Sequence, residues 1–237
     1  MNEIIRKRKS VRKYDPAKLD AEALGKVRSQ IGGLTPLTPG IRFAIEISDM
    51  PLGGPAVKAP HYLLFYSEDK AGAYENIGFL GQCMSLYFSA SGLGSCWLGM
   101  AKPAEKTLKD KETGAPLQFV ICMAFGKPAE PLFREASEFK RKPLAAISEG
   151  ADARLEAARL APSGINLQFW YFIADGEKIH CYIKPPVALL GPVFKKMNRI
   201  DMGIALCHIA QESKNFKYVN DVHVPFRKNC VYVGSVV

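Results

Sequence analysis

An internal echo constrains this chain more than any other feature. Leu80-Gly81-Gln82-Cys83-Met84-Ser85-Leu86 is matched by Met202-Gly203-Ile204-Ala205-Leu206-Cys207-His208, and Phe43-Ala44-Ile45 by Tyr171-Phe172-Ile173. Both pairs stand about half of the 237 residues apart, a period too long for a solenoid. The expectation is one domain made of two related half-repeats, about 1–140 and 141–237, packed as a pseudo-dimer.

Local patterns fill in this outline. A short helix is predicted over 3–9. Asp20 should cap a second helix with Leu24, Val27 and Ile31 on one face, ended by Gly32-Gly33. Residues 42–47 alternate as a strand, and 61–66 form an apolar strand of buried type. The longest helix spans 72–91, with Ile77, Leu80, Met84 and Tyr87 at helical spacing and Gly81 allowing a close approach. Pro103 should open a short helix, 119–126 a strand, 144–148 one helical turn and 151–160 an Ala-rich helix that stops before Pro162. Asp175-Gly176 between 170–173 and 179–183 signals a hairpin. A second long helix follows at 195–213, with Ile200, Ile204 and Cys207 on one face, and 231–237 closes the chain as a strand.

Charge narrows the function. A net +9 suggests an anionic partner. The basic clusters at 6–13, 139–142 and 195–199 are scattered, which argues against nucleic acid. The six cysteines show no metal or redox spacing and sit in apolar runs, as reduced thiols of a cytoplasmic protein do. His208 reads as a satisfied core histidine. No run is long enough to span a membrane, and no signal peptide is present.

Three segments carry the candidate chemistry. Arg8-Lys9-Ser10-Val11-Arg12-Lys13-Tyr14 concentrates donors suited to phosphate and carbonyl oxygens. Gly92-Leu93-Gly94-Ser95-Cys96-Trp97-Leu98-Gly99 lacks the sixth-position glycine of a dinucleotide fingerprint and follows a helix, so a Rossmann site is excluded. The third is Ala161-Pro162-Ser163-Gly164-Ile165-Asn166-Leu167-Gln168-Phe169-Trp170. Taken singly, Trp97 and Trp170 read as core, and Ser163 and Asn166 as turn formers.

Together these segments resemble the FMN-dependent nitroreductase family, in its fused two-half branch. The Pro-Ser-x-x-Asn-x-Gln-x-Trp copy lies in the second half here, whereas in the common pattern it soon follows the Arg-x-Ser-x-Arg. The resemblance implies an α+β fold, a three-layer α/β/α sandwich with a mixed, largely antiparallel sheet and two pseudo-symmetric halves. It implies FMN, with NADH or NADPH as donor and ping-pong transfer to a nitroaromatic, quinone or similar small acceptor. By the same resemblance Arg8, Lys9, Ser10, Arg141 and Lys142 hold the phosphate, with Lys140 a weaker candidate. Arg12 sits beside the flavin N1 and C2 carbonyl. Trp97, Leu98 and Gly99 lie along the ring, while Pro162, Ser163, Gly164 and Asn166 cover it from the other half and Gln168 contacts the phosphate or ribityl region. No side chain serves as nucleophile and no metal is involved. The chain would act as a pseudo-dimeric monomer or as a homodimer, with one complete and one degenerate site. The alternative is a non-catalytic flavin carrier or sensor. Loops 49–60 and 185–192 should shape the acceptor pocket.

Overall fold

The computed structural model describes residues 2–50, 52–54, 57–185 and 191–237. Parts of both pocket-shaping loops therefore lie outside the described residues. The first half contains α1 (Asn2–Lys7), α2 (Ala21–Gly32), β1 (Phe43–Ser48), β2 (His61–Ser67), α3 (Ala73–Ala90), β3 (Gly94–Leu98), β4 (Thr107–Lys109) and β5 (Pro116–Gly126). The second contains α4 (Leu144–Ile147), β6 (Ser148–Glu149), α5 (Arg154–Leu160), β7 (Trp170–Asp175), β8 (Lys178–Ile183), α6 (Gly191–Glu212), β9 (Tyr218–Val219) and β10 (Val231–Val236). Asp20 caps α2 by accepting the Ala23 N–H at 2.8 Å. Among the described residues no helix is long and apolar enough to cross a membrane.

The strands form two five-stranded sheets, ordered β1-β2-β5-β3 with β4 on β5, and β6-β7-β8-β10-β9. Pairing is antiparallel except for the short parallel β6–β7 contact. The α+β class and the largely antiparallel pairing agree with expectation, but the strands divide between two sheets, one from each half. Side-chain alternation shows why. Leu63, Phe65, Ile121, Met123 and Phe125 of the first sheet and Phe172, Ile179, Cys181 and Ile183 of the second face one shared core with α3 and α6. Tyr62, Leu64, Cys122 and Ala124 turn to a separate cluster, and Tyr171, Ile173 and Tyr182 to a third. The long helices thus bury their apolar surface where both sheets look inward.

Several boundaries differ from the sequence reading. No helix follows Pro103. Residues 103–106 are irregular and lead into β4, where Leu108 pairs with Leu117. That stretch has too few apolar residues to offer a helix face, so its one leucine is used in strand pairing. α1 stops at Lys7 because Arg8 bridges to Phe133. α5 starts at Arg154, three residues later than expected, and α6 starts earlier, at Gly191. β6 and β9 have two residues each, too few to show alternation.

The crossing of α3 and α6 is reciprocal. A Cβ on Gly78 would overlap the Ile200 carbonyl oxygen, and a Cβ on Gly203 would overlap the Glu75 carbonyl oxygen. Gly78 is therefore the partner of Gly203 at the crossing, while Gly81, which the sequence echo aligned with it, makes room for the Trp97 ring. Beyond the crossing, Cys83 Sγ and Cys207 Sγ meet at 3.4 Å. His208 is the satisfied core histidine expected. Trp97 Nε1–H donates to Gln82 Oε1 at 3.2 Å, which orients that amide. Gln82 Nε2 then donates to His208 Nε2 at 2.9 Å, so the Nδ1–H of His208 donates to the Ala157 carbonyl at 2.9 Å. Burial, with Arg8 and Arg141 nearby, pushes His208 down to about 3 and keeps the ring neutral.

Gly78→Ala or Gly203→Ala should destabilise the protein by about 3 kcal/mol, because rigid backbone must move. Gly25→Ala, with nothing within 4 Å, should be neutral or stabilising by up to about 1 kcal/mol. Thermal unfolding of the three variants checks this.

Candidate active site

Strand-like pairing positions the N-terminal segment. Val11 N–H donates to Ser95 O at 3.0 Å, Arg134 N–H to Lys7 O at 2.8 Å and Ala129 N–H to Lys13 O at 2.9 Å. Glu130 accepts the backbone N–H groups of Arg12 at 2.5 Å and Lys13 at 3.3 Å. Val11 is fully buried against Gly94, where a Cβ would come within 2.7 Å of it. With Val11 turned inward, its neighbours Ser10 and Arg12 face the opposite way, into a cavity.

That cavity has two adjoining chambers. The larger, about 330 Å³, is mostly apolar and brings together Trp97, Leu98, Gly99, Ile121, Phe194, Met197, Ile200 and Ile204, with Asn198 and Asp201. The smaller, about 290 Å³, is basic and is lined by Arg134, Lys140, Arg141, Asn166 and Glu138. Ser10, Arg12, Pro162, Ser163 and Ile165 line both. The space therefore continues from a flat apolar compartment into a cationic one, walled by both halves of the chain.

The basic end carries more cations than its one lining carboxylate, Glu138, can balance. Nε and Nη1 of Arg8, Nε of Arg134 and Nε of Arg141 are buried without a hydrogen-bond partner. Burial and the mutual repulsion of this cluster bring Arg8 down to about 9, and burial with Arg134 and Arg159 brings Arg141 to about 10. Buried guanidinium groups are costly unless paired. A phosphate monoester fits the donor set, and an apolar planar ring fits the adjoining chamber.

The 163–168 loop closes one wall under backbone strain. Ile165, Asn166 and Gln168 have φ of 42°, 62° and 48°, a left-handed region unfavourable to β-branched isoleucine above all. Polar ties hold it there. Asp201 accepts the Gly164 N–H on both oxygens at 3.0 Å, and Ser163 Oγ accepts the Gln168 N–H at 3.1 Å. Arg141 Nη1–H donates to Asn166 Oδ1 at 2.5 Å, and Asn166 Nδ2 donates to the Lys140 carbonyl at 2.7 Å.

Most residues singled out in the sequence meet here, though some do other work. Ser10, Arg12, Trp97, Leu98, Gly99, Arg141, Pro162, Ser163, Gly164 and Asn166 line the chambers. Arg8 lies behind them, buried, with Nη2–H donating to Ser10 Oγ at 3.4 Å. Lys9 borders a neighbouring basin and pairs with Glu130 at 3.8 Å. Lys142 and Gln168 line neither chamber. Lys142 Nζ donates to the Leu167 carbonyl at 2.6 Å, and its N–H donates to Gln168 Oε1 at 2.9 Å, so both brace the loop from behind. Among the lining residues that escaped the sequence reading are Arg134, Asn198 and Asp201. Arg134 is an isolated arginine with no motif around it. Asn198 and Asp201 are polar positions three apart on a helix face otherwise made of Met197, Ile200 and Ile204, and that interruption was the available signal.

The profile of the family described as "Putative TM nitroreductase" matches residues 1–213. The chain belongs to this nitroreductase family. A solved "putative nitroreductase" of Thermotoga maritima is 20% identical, with a TM-score of 0.64 over 99% of this chain and 92% of that one. A nitroreductase family protein of Clostridium difficile is also 20% identical, covering 62% of this chain and 95% of its own, with a TM-score of 0.48. An FMN-dependent nitroreductase of Clostridium difficile is 18% identical, covering 59% and 95%, with a TM-score of 0.43. No curated protein matches the chain.

Asp201 gives this chain a pH signature. Burial raises its carboxyl to about 7, opposed by the Gly164 N–H bond. The folded state therefore binds a proton that the unfolded chain, with an ordinary aspartate near 3.9, has already released. Stability should fall as pH rises from about 4 to about 7 and level off above, by roughly 4 kcal/mol in total. Asp201→Asn should remove this slope. Urea unfolding of both proteins at pH 5 and pH 8 measures it.

Proposed function

We propose that the chain is an FMN-dependent NAD(P)H oxidoreductase that passes electrons to a nitroaromatic, quinone or similar planar acceptor. The observation that carries this reading is the joining of an apolar chamber to a chamber of arginines with unpartnered buried Nε atoms. That pairing of surfaces matches a planar ring tethered to a phosphate. FMN, when bound, supplies hydride acceptance and donation at its ring.

The chain's own residues supply binding and electrostatics. Ser10, Arg134 and Arg141 would hold the phosphate by charge-assisted hydrogen bonds. Arg8, held behind Ser10, adds positive potential without direct contact. Arg12 lines both chambers, and its guanidinium would stabilise negative charge developing on the ring edge. Gly99 leaves its backbone open to the ring, its nearest side-chain neighbour being the flexible Met197. Trp97, held by Gln82, keeps one wall flat. Pro162, Ser163 and Gly164 close the other wall from the second half.

The reciprocal α3–α6 contacts support reading the chain as two half-repeats that form their own interface. A single chain then builds one complete site, and the working unit is a pseudo-dimeric monomer. Loop 35–40 meets α3 in a similar way, with Thr38 N–H donating to Asn76 Oδ1 at 3.3 Å. It lacks the Asn and Gln of the second-half segment and forms the degenerate counterpart.

The purified protein should show flavin absorption, or acquire it on adding FMN, and the bands should bleach with anaerobic NADH or NADPH. Bound flavin that neither donor bleaches would overturn the oxidoreductase reading. Arg134→Ala and Arg141→Ala should each weaken FMN binding roughly 10- to 100-fold while changing riboflavin binding little, as equilibrium fluorescence titration would show. Arg12→Ala should slow flavin reduction or weaken its retention in stopped-flow and binding assays.

A further inference from the structure

Two polar side chains in the apolar chamber have no part in the reading above. Asn198 and Asp201 are three residues apart on α6, so they share a face. Each is 3% exposed, and both line the chamber among Phe194, Met197, Ile200 and Ile204. Neither lines the basic chamber, so they belong to the part of the cavity away from Arg134 and Arg141.

Their hydrogen-bond accounts are incomplete in opposite senses. Asn198 Nδ2 is buried and donates to nothing, which leaves a donor for an incoming oxygen. Asp201 accepts one N–H, from Gly164, and faces no cation. Of the α6 cations, Arg199 pairs with Glu75 at 2.5 Å, Lys196 lies over the Tyr74 ring at 5.5 Å, and Lys195 is exposed and does not line the chamber. A neutral carbonyl or nitro oxygen can meet Asn198 without penalty, whereas a carboxylate placed here would face a second carboxylate with no cation between them.

We propose that Asn198 and Asp201 select the electron acceptor, Asn198 donating to an oxygen of a planar uncharged compound and Asp201 rejecting acceptors that carry a carboxylate. This rests on the flavin-site reading above. The remaining titratable groups of the chamber are Arg12, shared with the basic chamber, and Cys96. Burial pushes the Cys96 thiol up and keeps it neutral. Both groups are common to the wild type and the variants, so their influence cancels in a ratio.

The test uses two probes that differ only in charge, 4-nitrobenzamide and 4-nitrobenzoate. Their dissociation constants are read on the oxidised FMN-loaded protein from perturbation of the flavin spectrum, at pH 8.5, where Asp201 is ionised. Wild type should prefer the amide. Asp201→Asn, which keeps an acceptor for Gly164, should reduce that preference at least tenfold. Asn198→Leu, with Asn198→Ser as a second variant that keeps the fold, should weaken 4-nitrobenzamide about tenfold. FMN affinity of the Asn198 apoproteins should stay within threefold. An unchanged amide preference in Asp201→Asn overturns the proposal, as does a loss of FMN affinity in both Asn198 variants, which would assign the amide to the cofactor. A wild-type chain that binds no FMN would overturn the flavin reading itself, and this proposal with it.

Discussion

Contact between the backbones of α3 and α6 at Gly78 and Gly203 is the constraint on which the rest of this structure depends. Two helices this close leave no room for a side chain at the crossing, so the distance between the halves is set by backbone rather than by deformable side chains. The buried network from Trp97 through Gln82 and His208 to Ala157 then spans the two halves with every polar group satisfied. The indole stacks on Phe65, with ring centroids 5.6 Å apart and planes 30° apart. That indole forms one wall of the apolar chamber. A wider crossing would separate Gln82 from His208 and leave Gln82 Nε2 and His208 Nε2 buried without each other, which is costlier than never forming the bond.

The site is made where electrostatic cost is concentrated. The arginines at its basic end are held by geometry, not by counter-ions: Arg8 through its bridge to Phe133, Arg134 through its bond to Lys7, and Arg141 through Asn166 and Leu160. Glu130 binds the backbone of Arg12 and Lys13 and pairs with Lys9, so it orders the segment without pairing with Arg8, Arg134 or Arg141. Unfavourable groups kept in place by a stable scaffold are what a binding site for an anionic molecule requires. The three left-handed residues of the 163–168 loop belong to the same economy, since strain there is maintained by ties to α6 and to the basic segment.

Elements with strong periodicity were legible. The capped helix after Asp20, the hairpin around Asp175-Gly176, and both long helices follow from local rules that tertiary contacts did not override. The helix expected after Pro103 failed because a proline at a first turn permits a helix without driving one, and β5 offered Leu108 a partner. Within the site, chemistry was legible by type but not by task. Lys142 and Gln168 have the same functional groups as residues that would touch a ligand, yet they brace the loop from behind. Arg134 is indistinguishable in sequence from a solvated arginine, and becomes a site residue only because Lys7 and Phe133 bring its segment alongside the N-terminus.

What the sequence determined by itself is therefore local: that the long helices and the hairpin form, which faces are apolar, and that donor-rich, Gly-rich and Pro-Ser-Gly segments exist to be assembled. The tertiary structure alone decided that the strands divide into two sheets, that Gly78 rather than Gly81 meets Gly203, and that Asn198 and Asp201 enter the cavity while Lys142 does not. The physical reason is that these outcomes depend on which surfaces lie within a few ångströms of each other across more than a hundred residues of chain. Composition and periodicity act over one or two turns. Burial, charge cost and backbone contact are settled only when the two halves close.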